Sequence, residues 1–333
     1  MRRVTSNQFA NNAMWKFADM ISNKLILLVI TILLARLITP EAYGVVALTM
    51  VFIGFSDIFI LNGFNIALIR KETVDEIDYS TVTAMSLVFT VFMYMIFFVA
   101  APYIANFYKS PDLCLVLRVI TILLFFKSIV SVIRAKGTRE LQFKRMVLSA
   151  FISNFSAGII AIVLAYMGWG IWALVFQQVL AGFFDMVVMM ILFRWHLSLK
   201  YSSSVAKGMF KFTAGVIGTS FLDFLGNNIC GLIIGKSYST KDLGYYNRAN
   251  MFPETIGLNV YNSINSVLLP TLASLQNNED DMKRVTRKVM SLTEYIIFPM
   301  MFGLIGVANV LIPVLLTDKW VPSIPLMYFC CLY

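Results

Sequence analysis

The sequence predicts an all-α protein, a polytopic transmembrane helical bundle of two parallel pseudo-symmetric lobes with the second incomplete, and three observations predict it. The first is composition. Of 333 residues, 59% are hydrophobic and 14% are charged, and the mean hydropathy is +0.78. A water-bounded core cannot hide that much apolar surface, so the chain must face lipid. The second is segmentation: a bilayer-spanning helix needs about 20 mainly apolar residues, and nine complete runs of that kind follow one another, with part of a tenth. The third is an internal duplication, in which the stretch from Arg36 to Arg70 returns as a degenerate copy from Lys236 to Pro270.

The nine runs lie at 17–37, 45–66, 81–101, 113–133, 147–167, 171–193, 212–234, 252–272 and 290–316; the tenth begins at Val321 and has 13 residues before Tyr333, so the chain is expected to be truncated there. These are continuous apolar stretches rather than alternating strands, which excludes a β-barrel. The first run carries Asp19 and Lys24, lacks a small-residue cleavage site and leads straight into the repeated turn, so it is a span and not a cleaved signal. Segments five and six are joined by Gly168-Trp169-Gly170, which predicts a tight turn on the outer side. Cys114, Cys230, Cys330 and Cys331 sit in or beside apolar runs without metal-ligand spacing, which argues against disulfides and zinc.

Charge sets the orientation. Of the 27 Lys and Arg residues, 18 fall in the N-terminal segment and the even-to-odd loops, seven on the opposite side and two, Lys24 and Lys127, within spans. The positive-inside rule then places the N-terminus in the cytoplasm. The net charge of +9 is thus a topology signal and does not indicate nucleic acid; contact with anionic lipid is secondary.

In both copies of the repeat a basic residue (Arg36, Lys236) closes one apolar segment. A hydroxyl residue (Thr39, Ser239) and an acidic one open a short turn, and Gly44 or Gly244 begins the next helix. Asn62 and Asn65 align with Asn262 and Asn265, most simply as helix-packing amides, and Leu68 aligns with Leu268. A second match pairs Asp19 and Asn23 of segment one with Asp223 and Asn227 of segment seven. At a spacing of four, carboxylate and amide share one helix face. Six segments separate the copies, an even number, so both halves enter the membrane in the same direction. This divides the chain into an N-terminal lobe, 1–206, and a partial C-terminal lobe, 207–333.

Ionised groups near the bilayer centre cost about 2.5–3.5 kcal/mol each on the insertion scale. Asp19, Asn23, Lys24, Asp57, Lys127, Asp223, Asn227 and Glu294 are therefore expected to line a hydrated central cavity; the competing reading is a set of interhelical pairs that only hold the bundle together. Arg118 and Lys127 are nine residues apart, half a turn net on one helix, and point to opposite sides. Arg118, Asp185, Arg248 and Glu254 lie close to helix ends and read as interfacial. Catalytic readings fail. Gly231, Gly235, Lys236 and Ser237 imitate a phosphate loop but have three residues between the glycines where that loop has four, and they lie on an apolar helix. The only histidine, His196, sits at a helix end, so no catalytic residues and no metal site are expected.

With the turn LARLITPEAYG (Leu34 to Gly44), the connector TRELQFKR (Thr138 to Arg145), the segment GWGIWALVFQQ (Gly168 to Gln178) and the element GKSYSTKDLGYYNRANMFPE (Gly235 to Glu254) in view, the chain resembles a known family. It is similar to the bacterial polysaccharide-export flippases, the Wzx-type members of the multidrug/oligosaccharidyl-lipid/polysaccharide exporter superfamily. The resemblance spans essentially the whole sequence. Family members have 12 to 14 helices in two lobes, so this chain would lack the last several.

The resemblance implies a non-enzymatic flippase of the bacterial cytoplasmic membrane. Its substrate would be an undecaprenyl-pyrophosphate-linked oligosaccharide, moved from the inner to the outer leaflet for polysaccharide export by alternating access of two lobes. It implies as partners that lipid-linked sugar, the bilayer and the polysaccharide assembly machinery, with the chain a monomer and no cofactor beyond coupling to H+ or Na+. Lys24 and Lys127 are the candidates for the pyrophosphate, with the carboxylates balancing them or carrying a coupling cation. Two alternatives remain at this point. One is a cation-coupled drug exporter of the same superfamily, which lysines in the cavity disfavour. The other is a membrane polymerase or ligase, expected to carry a long external loop with a histidine, which this sequence lacks.

Overall fold

The computed structural model describes residues 27–71, 73–198, 200–275 and 278–332. Among the described residues the chain is helical from end to end: α1 (Leu27–Leu37), α2 (Pro40–Asp57), a π-helical turn (Ile58–Gly63), α3 (Phe64–Arg70), α4 (Glu76–Phe107), α5 (Asp112–Ile120), α6 (Leu123–Arg139), α7 (Phe143–Tyr166), α8 (Ile171–Phe193), α9 (Ser203–Ser237), α10 (Thr240–Ser274), α11 (Glu279–Leu316), a 3-10 turn (Asp318–Trp320) and α12 (Ser323–Leu332). The polytopic helical bundle expected from the hydropathy is the observed fold.

Seven helical stretches among the described residues are long and apolar enough to cross a membrane: Pro40–Leu61, Glu76–Phe107, Asp112–Arg139, Phe143–Tyr166, Ile171–Phe193, Gly215–Ser237 and Asp280–Leu316. Leu27–Leu37 and Ser323–Leu332 are shorter apolar helices at the places of the first and tenth runs. The eighth expected run, 252–272, is helical within α10 but is not one of the seven. Glu254, Asn259, Asn262 and Asn265 within it dilute its apolar character. The fourth run is not one continuous helix, because the chain turns at Thr121 and Ile122 between α5 and α6.

Local chemistry explains several junctions. Gly168 and Gly170 have φ of +83° and +52°, a left-handed region that suits glycine, so the Gly-Trp-Gly turn between α7 and α8 is as tight as expected. Asp78 at the start of α4 is 1% exposed; it accepts from the Asp75 backbone N–H at 3.0 Å and from Lys71 Nζ at 2.7 Å. A buried carboxylate in a first helical turn also meets the positive end of the helix dipole. Arg139, the last residue of α6, donates to the carbonyls of Leu68, Ile69 and Lys71. It thereby closes the C-terminal end of α3, where helix carbonyls lack intrahelical partners.

The chain forms two compact units, the first running to Leu243 and the second from Gly244 onward. In the first, Leu68, Val82, Val132, Ala135 and Met209 make one buried cluster, and Val130, Ile133, Met189 and Phe193 another. Small residues let helices close up: a Cβ at Gly158 of α7 would lie 2.1 Å from Ile30 Cδ1 of α1, and one at Gly182 of α8 would lie 2.2 Å from Leu123 Cδ1 of α6. In the second unit the fully buried Trp320 meets Tyr245 edge-on, with ring centroids 6.1 Å apart, and lies under the Arg248 guanidinium.

Candidate functional site

The first unit holds an ion pair in the middle of its spans. Asp57 is the last residue of α2, roughly midway between Pro40 and Arg70, and Lys127 lies mid-span in the stretch Asp112–Arg139. Lys127 Nζ lies 2.5 Å from Asp57 Oδ2, with the two side chains 29% and 19% exposed. An isolated charge is costly at that depth, and pairing offsets part of the cost for each group. The other carboxylate oxygen, Asp57 Oδ1, is sealed from solvent and has no hydrogen-bond partner among the described residues.

Asp57 also marks the point where the helix widens. The π-turn from Ile58 to Gly63 begins at the next residue, and such turns inside α-helices are frequent at functional sites. Asn65, 7% exposed, donates its amide Nδ2 to the Ile60 carbonyl at 3.3 Å, while its Oδ1 has no partner among the described residues. Facing the π-turn, Phe89 of α4 stacks on Phe59 with centroids 4.7 Å apart, and further along Phe97 meets Phe52 at 5.8 Å. These two contacts fix an antiparallel register that puts Thr90 level with the start of the π-turn and Ser86 one turn further along. Both are fully buried, and neither hydroxyl has a partner among the described residues.

Asp223 and Asn227 are both exposed on α9. The neighbouring Phe221 and Phe224 pack edge-on against Phe55 of α2, with centroids 6.1 and 6.2 Å away. Glu294 is exposed on α11 of the second unit. Asp19, Asn23 and Lys24 lie outside the described residues, as does the side chain of Asn62. Arg118 and Lys127 do part company as expected. Arg118 lies over the Phe98 ring at 4.3 Å and donates to the Phe98 carbonyl at 3.3 Å, and the break between α5 and α6 contributes to their separation.

Asp185, read from sequence as interfacial, is tied into the bundle. Arg134 of α6 pairs with it at 2.8 Å, and Ser149 of α7 donates to its Oδ1 at 2.6 Å. Sequence reasoning used Arg134 and Lys71 only as topology charges and passed over Ser149 and Asp78. Their partners lie on other helices or seven residues along the chain, and no spacing rule reveals them. The signal available was the carboxylate itself, since a buried Asp requires a cation or several donors.

The polysaccharide biosynthesis protein family matches residues 33–325. Three relatives align over most of the chain. The succinoglycan biosynthesis transport protein ExoT of Rhizobium meliloti is 23% identical over 89% of this chain and 60% of its own length. The teichuronic acid biosynthesis protein TuaB of Bacillus subtilis is 24% identical over 82% and 57%, and the lipopolysaccharide biosynthesis protein WzxC of Escherichia coli is 23% identical over 90% and 61%. The chain thus spans about 60% of the length of the relatives it matches. In fold it is similar to the lipid II flippase MurJ in an inward closed conformation, with a TM-score of 0.67 over 97% of this chain and 72% of that one at 14% identity. With the match running through nearly all of its described helices, the chain is a multi-pass membrane protein that belongs to the polysaccharide biosynthesis protein family.

Proposed function

We propose that the chain is part of a flippase that moves a polyprenyl-pyrophosphate-linked oligosaccharide from the inner to the outer leaflet of a bacterial cytoplasmic membrane. The observation that carries this reading is the family match over 33–325, joined to a lipid flippase fold. Relatives whose names place them in succinoglycan, teichuronic acid and lipopolysaccharide biosynthesis support the substrate class. The residues suit such a cargo. A sugar and pyrophosphate head needs polar, partly cationic walls, and Lys127 supplies an ammonium at mid-span, while the polyprenyl tail stays in lipid. Lys24 with Asp19 and Asn23 would extend that wall, and Asp223, Asn227 and Glu294 would serve it from the second lobe. The lobes in this reading are 1–206 and 207–333, and alternating access between them moves the head group. The N-terminus is cytoplasmic because Lys and Arg crowd the even-to-odd loops. The protein acts without catalysis, coupled to H+ or Na+.

A deletion strain tests the substrate. Lipid-linked oligosaccharide should accumulate on the cytoplasmic leaflet, and the full-length gene should restore its exposure outside; accumulation of an unpolymerised sugar already on the outer leaflet would overturn the reading. A cysteine introduced at Gly168 tests the orientation. Labelling from the cytoplasm alone would refute it.

A further inference from the structure

We propose that Arg118 holds the phosphate of an anionic phospholipid against the lipid-facing flank of the first unit, beside α4. The chain first fixes the guanidinium in place. Pro102 lies inside α4 and has no N–H, so the carbonyl four residues back, that of Phe98, loses its helical partner. Arg118 Nε donates to that carbonyl at 3.3 Å, and the guanidinium lies over the Phe98 ring at 4.3 Å from the centroid. The bond and the ring contact together hold the planar group at one height on α4.

That contact uses one N–H of the five a guanidinium carries. Among the described residues Arg118 has these two contacts with Phe98 and no carboxylate partner, so four donors and the positive charge are left over. A neutral donor would have served the Phe98 carbonyl as well. A carbonyl dipole and a ring face attract a cation without neutralising it, and an unneutralised charge within a span is costly. The surplus calls for an anion.

Placement says where the anion comes from. On α5 the neighbours Leu113, Val116, Leu117 and Ile120 are buried, whereas Leu115, one turn before Arg118, and Ile122, one turn after, are exposed. The stripe that carries Arg118 therefore faces away from the bundle, as does Phe98, which is 40% exposed. In a membrane-spanning chain that side is lipid. Depth agrees: Tyr103 and Phe107 are exposed near the end of α4, and such aromatic residues sit at headgroup level. Phe98 is five residues, about 7.5 Å along the helix, below Tyr103, which leaves the guanidinium just beneath the phosphate layer.

Charge then selects the headgroup. One guanidinium matches the single negative charge of a phosphodiester, and its fork can bond two phosphate oxygens in parallel. A zwitterionic headgroup brings its own ammonium, and a pyrophosphate carries more negative charge than one guanidinium balances. The fit is to an anionic phospholipid of the phosphatidylglycerol kind. That this lipid belongs to the outer leaflet rests on the orientation proposed above; the site itself does not.

The test uses the purified full-length protein in detergent, titrated with phosphatidylglycerol, phosphatidylcholine or undecaprenyl pyrophosphate, with bound lipid counted by native mass spectrometry. Phosphatidylglycerol should be retained well above phosphatidylcholine. Arg118→Gln, which removes the charge and leaves an amide donor for the Phe98 carbonyl, should weaken that retention about tenfold, and Arg118→Lys should keep part of it. Pro102→Ala gives the Phe98 carbonyl its own helical donor, so the double variant Pro102→Ala with Arg118→Gln should regain thermal stability without regaining the lipid. Equal retention by the wild-type protein and Arg118→Gln, or retention restored in the double variant, would show that Arg118 only serves the carbonyl and would overturn the proposal. Undecaprenyl pyrophosphate outcompeting phosphatidylglycerol in an Arg118-dependent way would overturn it too, and would give the site to the cargo. Arg118-dependent retention of phosphatidylglycerol in a protein that fails the leaflet assay would leave the site standing and remove the flippase reading.

Discussion

From Arg36 and from Lys236 the chain repeats itself closely at first and then diverges. In both places a helix ends one residue after the basic side chain, and one bend residue (Ile38, Tyr238) and one linking residue (Thr39, Ser239) follow. A new helix then starts with a hydroxyl cap: Thr39 Oγ1 accepts from the Ala42 N–H at 3.5 Å, and Ser239 Oγ accepts from the Asp242 N–H at 3.1 Å. Seventeen residues into the new helix, the first copy has Asp57 and widens into the π-turn, whereas the second has Gly257 and continues as an unbroken α-helix to Ser274. The aligned asparagines follow suit. Asn65 is buried, whereas Asn262 is exposed and Asn265 half-buried. The duplication thus preserves how a helix is begun and not what it carries into the bundle. A cap is local chemistry between residues three apart and survives divergence, while an intramembrane charge requires a partner on another helix and has to be kept as a pair.

The largest effect should come from removing the charge that distinguishes the first copy. Asp57→Leu strands Lys127 in the bundle, and the loss of one partner of a largely buried pair is expected to lower stability by about 2–4 kcal/mol. Adding Lys127→Leu should recover most of that loss, because the buried charge disappears with its partner. Thermal unfolding in detergent of the two variants, side by side, measures the coupling; equal destabilisation of single and double variants would show that the pair does not hold α2 to α6.

Next in size is the clamp at the end of the first copy. Arg139→Gln removes the guanidinium that closes the carbonyls of Leu68, Ile69 and Lys71. Charge-assisted hydrogen bonds contribute about 1.5–3 kcal/mol, and the exposure of part of this contact puts the expected loss at about 1.5 kcal/mol. Proteolysis near residue 71 should accelerate in the variant, and unchanged cleavage would show that α3 is held by packing alone.

The bundle was legible in the sequence because each span is a long local signal, and the repeated turn because its cap is read within four residues. The π-turn was not. Ile58-Phe59-Ile60-Leu61-Asn62-Gly63 contains no proline, and its Asn62-Gly63 pair signals a break in the helix without specifying a widened turn. The break at Thr121 was missed for the same reason; a threonine whose hydroxyl returns to the Leu117 carbonyl satisfies its own helix and gives no outward sign. Asp57 and Lys127 were each singled out, because charge inside a span is conspicuous. That they meet was beyond reach, since 70 residues and four helix junctions lie between them. Ser86 and Thr90 were passed over altogether, for in an apolar helix a buried hydroxyl normally bonds its own backbone, as Thr81 and Thr83 do here.

The caps should respond alike in the two copies. Thr39→Ala and Ser239→Ala each remove a side-chain acceptor at a helix start, with a typical loss of about 1 kcal/mol. Ser239 also donates to the Asp242 carboxylate at 2.5 Å, so its loss should be the larger by a few tenths of a kcal/mol, as exposed side-chain pairs contribute. Melting temperatures of the two variants check this, and a difference of several kcal/mol would show that the shared turn is a resemblance of shape without shared energetics.

The smallest effect should come from the glycine that stands where the first copy has its aspartate. A Cβ added at Gly257 meets nothing within 4 Å, so Gly257→Ala has room. The residue lies inside α10, and an alanine there removes backbone entropy from the unfolded chain. The expected change is a gain of about 0.5–1 kcal/mol. If the second copy has no use for a widened helix, transport should be unaltered by that gain. Loss of the proposed transport with stability raised would mean instead that α10 bends at Gly257 during the proposed cycle, and that the second copy keeps in a glycine the flexibility that the first copy builds into its π-turn. Measuring melting temperature and surface polysaccharide on the same variant separates the two.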